Sequence, residues 1–181
     1  MKGYFSVGVE GGSKAGNLGN LMRSAHGFGA SFVFTVAGEH FSKDHEFADP
    51  SATSGQVPLY QFETAEALVL PRLCSLVGVE LVEGAADLPS FCHPRQAAYV
   101  LGPERGSLSD AMLARCDHLV KIPTQFALNV ATAGAIVMYD RVRVLGRWPA
   151  RPVSPWSEPE ELPPHRFGDY VSRREKRRRK V

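Results

Sequence analysis

Cysteine is scarce in this chain, with three in 181 residues, and the way the three are spread excludes two classes of protein. Cys74, Cys92 and Cys116 form no C-x-x-C pair and are odd in number, so neither a zinc site nor a disulfide framework is indicated. Reduced thiols, at least partly buried, are expected, and no metal. No stretch is long and apolar enough to span a bilayer, and the N-terminus lacks the basic-then-apolar order of a signal peptide. A cytoplasmic protein without membrane contact is expected. Two phosphate-binding patterns are missing as well. Gly11-Gly-Ser-Lys-Ala-Gly-Asn-Leu-Gly-Asn20 is rich in glycine but does not follow G-x-G-x-x-G, and no acidic residue closes the second strand where a ribose ligand belongs, which counts against nicotinamide. Leu101-Gly-Pro-Glu-Arg-Gly-Ser-Leu-Ser109 has no Lys after its second Gly and is not a P-loop.

What is present fits one soluble domain with an appendage. Hydrophobic residues make up 44% and charged residues 22%, the balance of a globular protein with a real core. The net charge of +2 conceals an asymmetry: residues 173–180 hold seven of the 21 basic residues and one of the 19 acidic ones, leaving the rest at about −4. Such a run is expected to be disordered, and its density of Arg and Lys suits phosphate backbones bound without sequence choice. Ahead of it, Trp148-Pro-Ala-Arg-Pro-Val-Ser-Pro-Trp-Ser-Glu-Pro-Glu-Glu-Leu-Pro-Pro164 is too rich in proline for a packed element and reads as an extended linker. A folded domain is therefore expected over 1–147, followed over 148–181 by linker and tail.

Within the domain, strand and helix patterns take turns. Strands are expected at Tyr4–Val9, Ser31–Val36, Pro58–Phe62, Ser75–Val82, Ala97–Leu101 and His118–Ile122, and helices at Leu18–Phe28, Thr64–Arg72 and Ser109–Cys116. The polar stretch 38–57, broken by Gly38, Pro50 and Gly55, reads as a long connection. A buried helix within Gln125–Arg141 closes the series. Its stripe runs through Leu128, Ala131, Ala135, Met138 and Val142, and its small residues Ala131, Ala133, Gly134 and Ala135 suggest that another backbone or a ligand comes very close. Alternation of this kind predicts an α/β fold, a parallel sheet covered on both faces.

Three places carry candidate chemistry. Asn17 stands where it would cap the first helix, and Arg23 follows on a helix whose neighbours are mostly apolar, so it should meet an anion or a carboxylate. In the second loop Gly102 and Gly106 allow close approach or positive φ, Pro103 stiffens the turn, Ser109 is a candidate N-cap, and Glu104 lies where open sheets bind ligands. At the entrance to the last helix, Asn129 is placed to cap the backbone or to face a bound molecule.

Taken in order, Asn17-Leu-Gly-Asn-Leu-Met-Arg-Ser-Ala-His-Gly-Phe-Gly29, Leu101–Ser109, and Ile122-Pro through Leu128-Asn-Val-Ala-Thr-Ala-Gly-Ala-Ile136 resemble the three motifs of the SpoU/TrmH-type RNA 2′-O-methyltransferases of the SPOUT class. The resemblance covers about residues 3–147. It implies a deep trefoil knot near the C-terminal end of the domain, S-adenosylmethionine bound within it, a tRNA or rRNA substrate and a homodimer. It assigns catalytic roles to Asn17, Arg23, Glu104 and Asn129, with Glu104 orienting the Arg23 side chain. Gly102, Gly106, Ile122 and Leu128 fall at the cofactor, with Val79 a looser candidate. One departure stands out: similar proteins usually have Ser where this chain has Ala127, and losing that hydroxyl removes an opportunity for a hydrogen bond worth about 0.5–1.5 kcal/mol net. The alternative it raises is a knotted RNA-binding protein that has lost transfer.

The tail yields the first prediction. Removing residues 165–181 should leave cofactor binding intact, raise the apparent KM for RNA and flatten the slope of log affinity against log salt. Filter binding across a salt series measures this, and coincident lines for full-length and truncated protein would rule out an RNA role for the tail.

Overall fold

The computed structural model describes residues 3–11, 15–38, 57–103 and 106–162. Almost all of the connection expected over 38–57, Glu104 and the basic run 173–180 lie outside these residues. The chain divides into two compact units, Met1–Gly146 and Arg147–Val181. The described part of the second unit, residues 147–162, holds turns and exposed side chains but no helix or strand.

The first unit is built on seven strands: β1 (Tyr4–Glu10), β2 (Phe32–Val36), β3 (Leu59–Phe62), β4 (Ser75–Val79), β5 (Ala86–Asp87), β6 (Gln96–Leu101) and β7 (His118–Lys121). They form one sheet in the order β3-β2-β1-β6-β4-β7-β5, and every pair is parallel. The central strands are buried without alternation: six successive residues of β1 and five of β6 are shielded, as in a sheet with both faces covered. One face carries α1 (Ala15–Phe28) and α3 (Val130–Leu145), whose Leu18, Leu21, Met22, Val137 and Met138 pack onto Val7, Val9, Tyr99 and Leu101. The other face is closed by α2 (Asp110–Arg115) and the segment before β4, through Met112, Leu108, Ala65 and Leu68 against Phe34, Val36, Ala98 and Val100.

Four expectations need correction. Thr64–Arg72 is not a helix. Arg115 donates to the Ala65 and Leu68 carbonyls, the latter at 2.7 Å, and Thr64 Oγ1 takes the Ala67 N–H at 3.2 Å, so groups needed for an i→i+4 ladder are engaged elsewhere. β4 ends at Val79 rather than Val82, and α3 begins only at Val130, with residues 122–129 forming a loop. Cys92 is exposed, whereas Cys74 and Cys116 are partly shielded. Burial pushes the Cys116 thiol up to about 11.

A buried polar network at the start of the sheet was not foreseen. Arg141, 3% exposed, donates to the carbonyls of Pro94 (2.5 Å), Arg95 (2.7 Å) and Tyr4 (3.1 Å) and to the Tyr99 hydroxyl (3.0 Å). Tyr99 Oη lies 2.7 Å from His93 Nδ1, and His93 Nε2 lies 3.0 Å from Asp140. Every donor is satisfied if Tyr99 donates to Nδ1 and Nε2–H donates to Asp140, which makes His93 the neutral tautomer. Burial, opposed by Asp140, holds the His93 pKa below its ordinary value, in keeping with that form. The network ties the last turns of α3 to the first residues of β1 and β6.

The small residues of α3 have a specific cause. Of the expected stripe, Ala131 and Met138 are buried, joined by Gly134, Val137 and Arg141. A Cβ on Gly134 would stand 2.4 Å from Leu21 Cδ1, so the close neighbour is a methyl group of α1, neither a backbone nor a ligand. Gly8 in β1 is crowded by backbone as well as side chain, its Cβ falling 2.5 Å from both the Phe34 carbonyl oxygen and the Phe34 ring. A leucine methyl can swing aside and a strand carbonyl cannot. Gly8→Ala should therefore cost ~1–3 kcal/mol of overpacking. In Gly134→Ala the gain in helix propensity, ~1 kcal/mol, offsets much of a smaller strain. Urea midpoints would check the order, and a Gly134 variant less stable than the Gly8 variant would contradict it.

Candidate functional site

Parallel strands end together, and the loops that leave their carboxyl ends converge. Here the loops after β4, β6 and β7 meet the first turns of α3 around a cleft. Val79, Glu80 and Leu81 line it from β4; Leu101, Gly102, Pro103 and Gly106 from β6 and its loop. Ile122, Thr124, Ala127 and Leu128 line it from the β7–α3 loop, and Val130 and Ala133 from α3. All five positions named for a cofactor, Val79, Gly102, Gly106, Ile122 and Leu128, share this cleft. The walls are mostly apolar, and Glu80 is the one charged side chain among the described lining residues.

Two carboxylates hold the loop after β6. Glu80 Oε2 accepts from Leu108 N at 2.9 Å, while Oε1 accepts from Leu81 N at 2.9 Å. From the other side Glu10, 6% exposed at the end of β1, accepts from Ser109 N at 2.8 Å and from the Ser109 hydroxyl at 2.6 Å. Ser109 Oγ also takes the Met112 N–H at 3.1 Å, the N-cap expected for α2. β1 and β4 flank β6 on either side, so two successive amides are gripped from both neighbours of the strand that carries them. Gly102 lies inside the grip: a Cβ there would stand 3.0 Å from Glu80 Oε2 and 3.1 Å from Leu108 N. Gly106 has φ +134°, which favours glycine.

The first and third motifs meet through their asparagines. Asn129 Nδ2 donates to Asn17 Oδ1 at 3.1 Å, and Asn129 Oδ1 accepts from Ala131 N at 2.9 Å and Thr132 N at 3.4 Å. Asn129 thus caps α3. Asn17 lies inside α1 and does not cap it. The reasoning for Arg23 also needs correction, because its side chain is exposed on α1 and does not line the cleft. Glu104 is outside the described residues, so the Arg23–Glu104 pairing stays an expectation. Ala127 forms part of the cleft wall.

Sequence reasoning passed over Glu10 and Glu80. Glu10 ends the buried apolar strand β1 and Glu80 directly follows β4, positions at which a carboxylate can reach the amides of a neighbouring loop, and that was the available signal.

A parallel α/β sheet with glycine-bearing loops around a cleft at the strand ends defines a ligand-binding α/β protein. The model of the SpoU rRNA Methylase family matches residues 4–139, and the chain belongs to that family. It is 28% identical to the tRNA (guanosine(18)-2′-O)-methyltransferase TARBP1 of Mus musculus, over 74% of this chain and 9% of that protein. It is also 28% identical to the 23S rRNA (uridine(2479)-2′-O)-methyltransferase of Streptomyces viridochromogenes, over 71% of this chain and 48% of that one. The chain thus spans less than half the length of these relatives. Among solved structures, the AdoMet-bound rRNA methyltransferase from Sinorhizobium meliloti shares the fold, with a TM-score of 0.70 at 20% identity, over 80% of this chain and 58% of that one.

The double grip makes a stability prediction. Ser109→Ala removes a cap and a charge-assisted bond and should cost ~1–2 kcal/mol. Glu10→Gln should lose about as much, and the double variant less than the sum, by ~1 kcal/mol. Chemical denaturation of the four proteins measures the coupling, and strict additivity would show that the two side chains act separately.

Proposed function

We propose that the chain is an S-adenosylmethionine-dependent RNA ribose 2′-O-methyltransferase acting on tRNA or rRNA, as a homodimer in the cytoplasm. One observation carries the reading beyond family membership: residues from three separate stretches of sequence, expected at the cofactor, line a single cleft, beside which Asn17 and Asn129 are joined. The cleft fits the cofactor by its own chemistry. Apolar walls suit a purine. A carboxylate suits a cation. A trefoil knot belongs to the same reading; it is supported by β4 lying between β6 and β7, so that the chain passes over β4 between them, and by the meeting of all three loops. The dimer is supported by the exposed Tyr139 and Val144 on α3.

S-adenosylmethionine, when bound, supplies a methyl group on a positively charged sulfur. The protein's part is to hold a ribose hydroxyl in line with it and to favour the oxygen's developing negative charge. Arg23, exposed on α1, is free to hold a phosphate of the substrate or that oxygen. A role as base asks a guanidinium to give up its proton, so electrostatic support is the less demanding assignment. Glu104 would orient Arg23, and the Asn129–Asn17 bond would set the spacing of α1 and α3. Ala127 favours a second reading, an RNA-binding member of the fold without transfer, because the missing hydroxyl is missing from the cleft wall itself.

Incubation with labelled cofactor and total RNA is expected to label RNA; label in protein alone would sink the proposal. Tight cofactor binding with no turnover on many RNAs would favour the second reading. Arg23→Ala should lower turnover ~10²–10³-fold while leaving cofactor affinity nearly unchanged. A variant that keeps half its turnover would show Arg23 to be dispensable for the reaction.

A further inference from the structure

Glu80 does more than brace a loop. Its two oxygens take the Leu81 and Leu108 amides, each at 2.9 Å, which uses one acceptor direction on each oxygen and fixes the carboxylate in the wall of the cleft. A carboxylate oxygen has two such directions, so the group keeps capacity for a bound molecule. Val79, Leu81, Leu101, Ile122 and Leu128 share the cleft wall with it, and among the described lining residues none carries a charge to oppose it. A fixed negative charge between apolar walls acts on a ligand's charge more strongly than the same carboxylate would in open water.

We infer that Glu80 is a charge-discriminating residue of the cleft, which makes it bind the sulfonium form of the cofactor more tightly than the neutral thioether left after methyl transfer. The inference rests on the proposed use of the cleft for S-adenosylmethionine. The two nucleosides share adenine, ribose, ammonium and carboxylate and differ in one methyl group and one positive charge. Every contact other than electrostatic attraction to the sulfur is common to both, the methyl aside. The carboxylate therefore aids exchange of spent for fresh cofactor, a role separate from its hold on Leu108.

Calorimetry with S-adenosylmethionine and S-adenosylhomocysteine tests both levels. The wild-type protein is expected to prefer the sulfonium by about tenfold, and a cationic analogue with a protonated amine in place of the sulfur centre should follow it. Glu80→Gln, which can still accept one of the two amide bonds, should abolish that preference. Glu80→Asp, which keeps the charge on a shorter stem, should bind both nucleosides more weakly but retain the ratio. A wild-type protein that binds both nucleosides without preference overturns the inference and leaves the proposed function standing. The inference is overturned in the same way if Glu80→Gln weakens both equally, since the side chain is then only a brace. If the wild-type protein binds neither nucleoside, the proposed function falls and the inference falls with it. The wild-type comparison alone decides should a variant not fold.

Discussion

The grip of Glu10 and Glu80 on two successive amides is the constraint from which the rest of the site follows. A loop leaving the end of a parallel strand has no partner strand to satisfy its N–H groups, and an unpaired buried amide costs about as much as the hydrogen bond it lacks. Carboxylates at the ends of β1 and β4 supply the acceptors for Leu108 and Ser109, and charge makes these bonds roughly twice as strong as neutral ones. With those amides fixed, α2 starts at one place, Gly102 must be bare of a side chain, and the wall of the cleft has one shape.

The opposite end of the sheet shows the same economy with different groups. Arg141 closes the carbonyls of Tyr4, Pro94 and Arg95, and the Tyr99 hydroxyl, His93 and Asp140 satisfy one another in a chain. Arg141 also stacks over Phe5, 5.2 Å from the ring centroid. Because Asp140 and Arg141 belong to α3, this network anchors the last turns of the helix, while Asn129 caps its start. Both ends of α3 are pinned by polar contacts, and Gly134 lets its middle approach Leu21 of α1. The angle at which α3 presents Val130 and Ala133 to the cleft is thereby fixed from three points.

The two halves connect through the asparagine pair. Asn17 and Asn129 are 112 residues apart in sequence yet share a hydrogen bond, which brings α1, carrying Arg23, against the entrance of α3. An exposed Arg on α1 and a cleft bounded by α3 are then tied together, as the proposed transfer between a bound donor and an RNA ribose would require.

The sequence by itself determined the alternation of strands and helices, the parallel sheet, the domain's membership of the SpoU family and five of the positions that line the cleft. These were legible because apolar runs, glycine spacing and ordered motifs are local patterns, each readable within a window of ten or twenty residues. Tertiary structure alone decided that Thr64–Arg72 is not helical, because its carbonyls are claimed by Arg115 from across 47 and 50 residues of chain. It decided that the crowding at Gly134 comes from Leu21, and that Arg23 faces outward although its neighbours on α1 face the core. Glu10 and Glu80 were silent in the sequence for the same reason: a carboxylate after a strand is unremarkable until the amides it will accept, 99 and 28 residues further on, are folded against it.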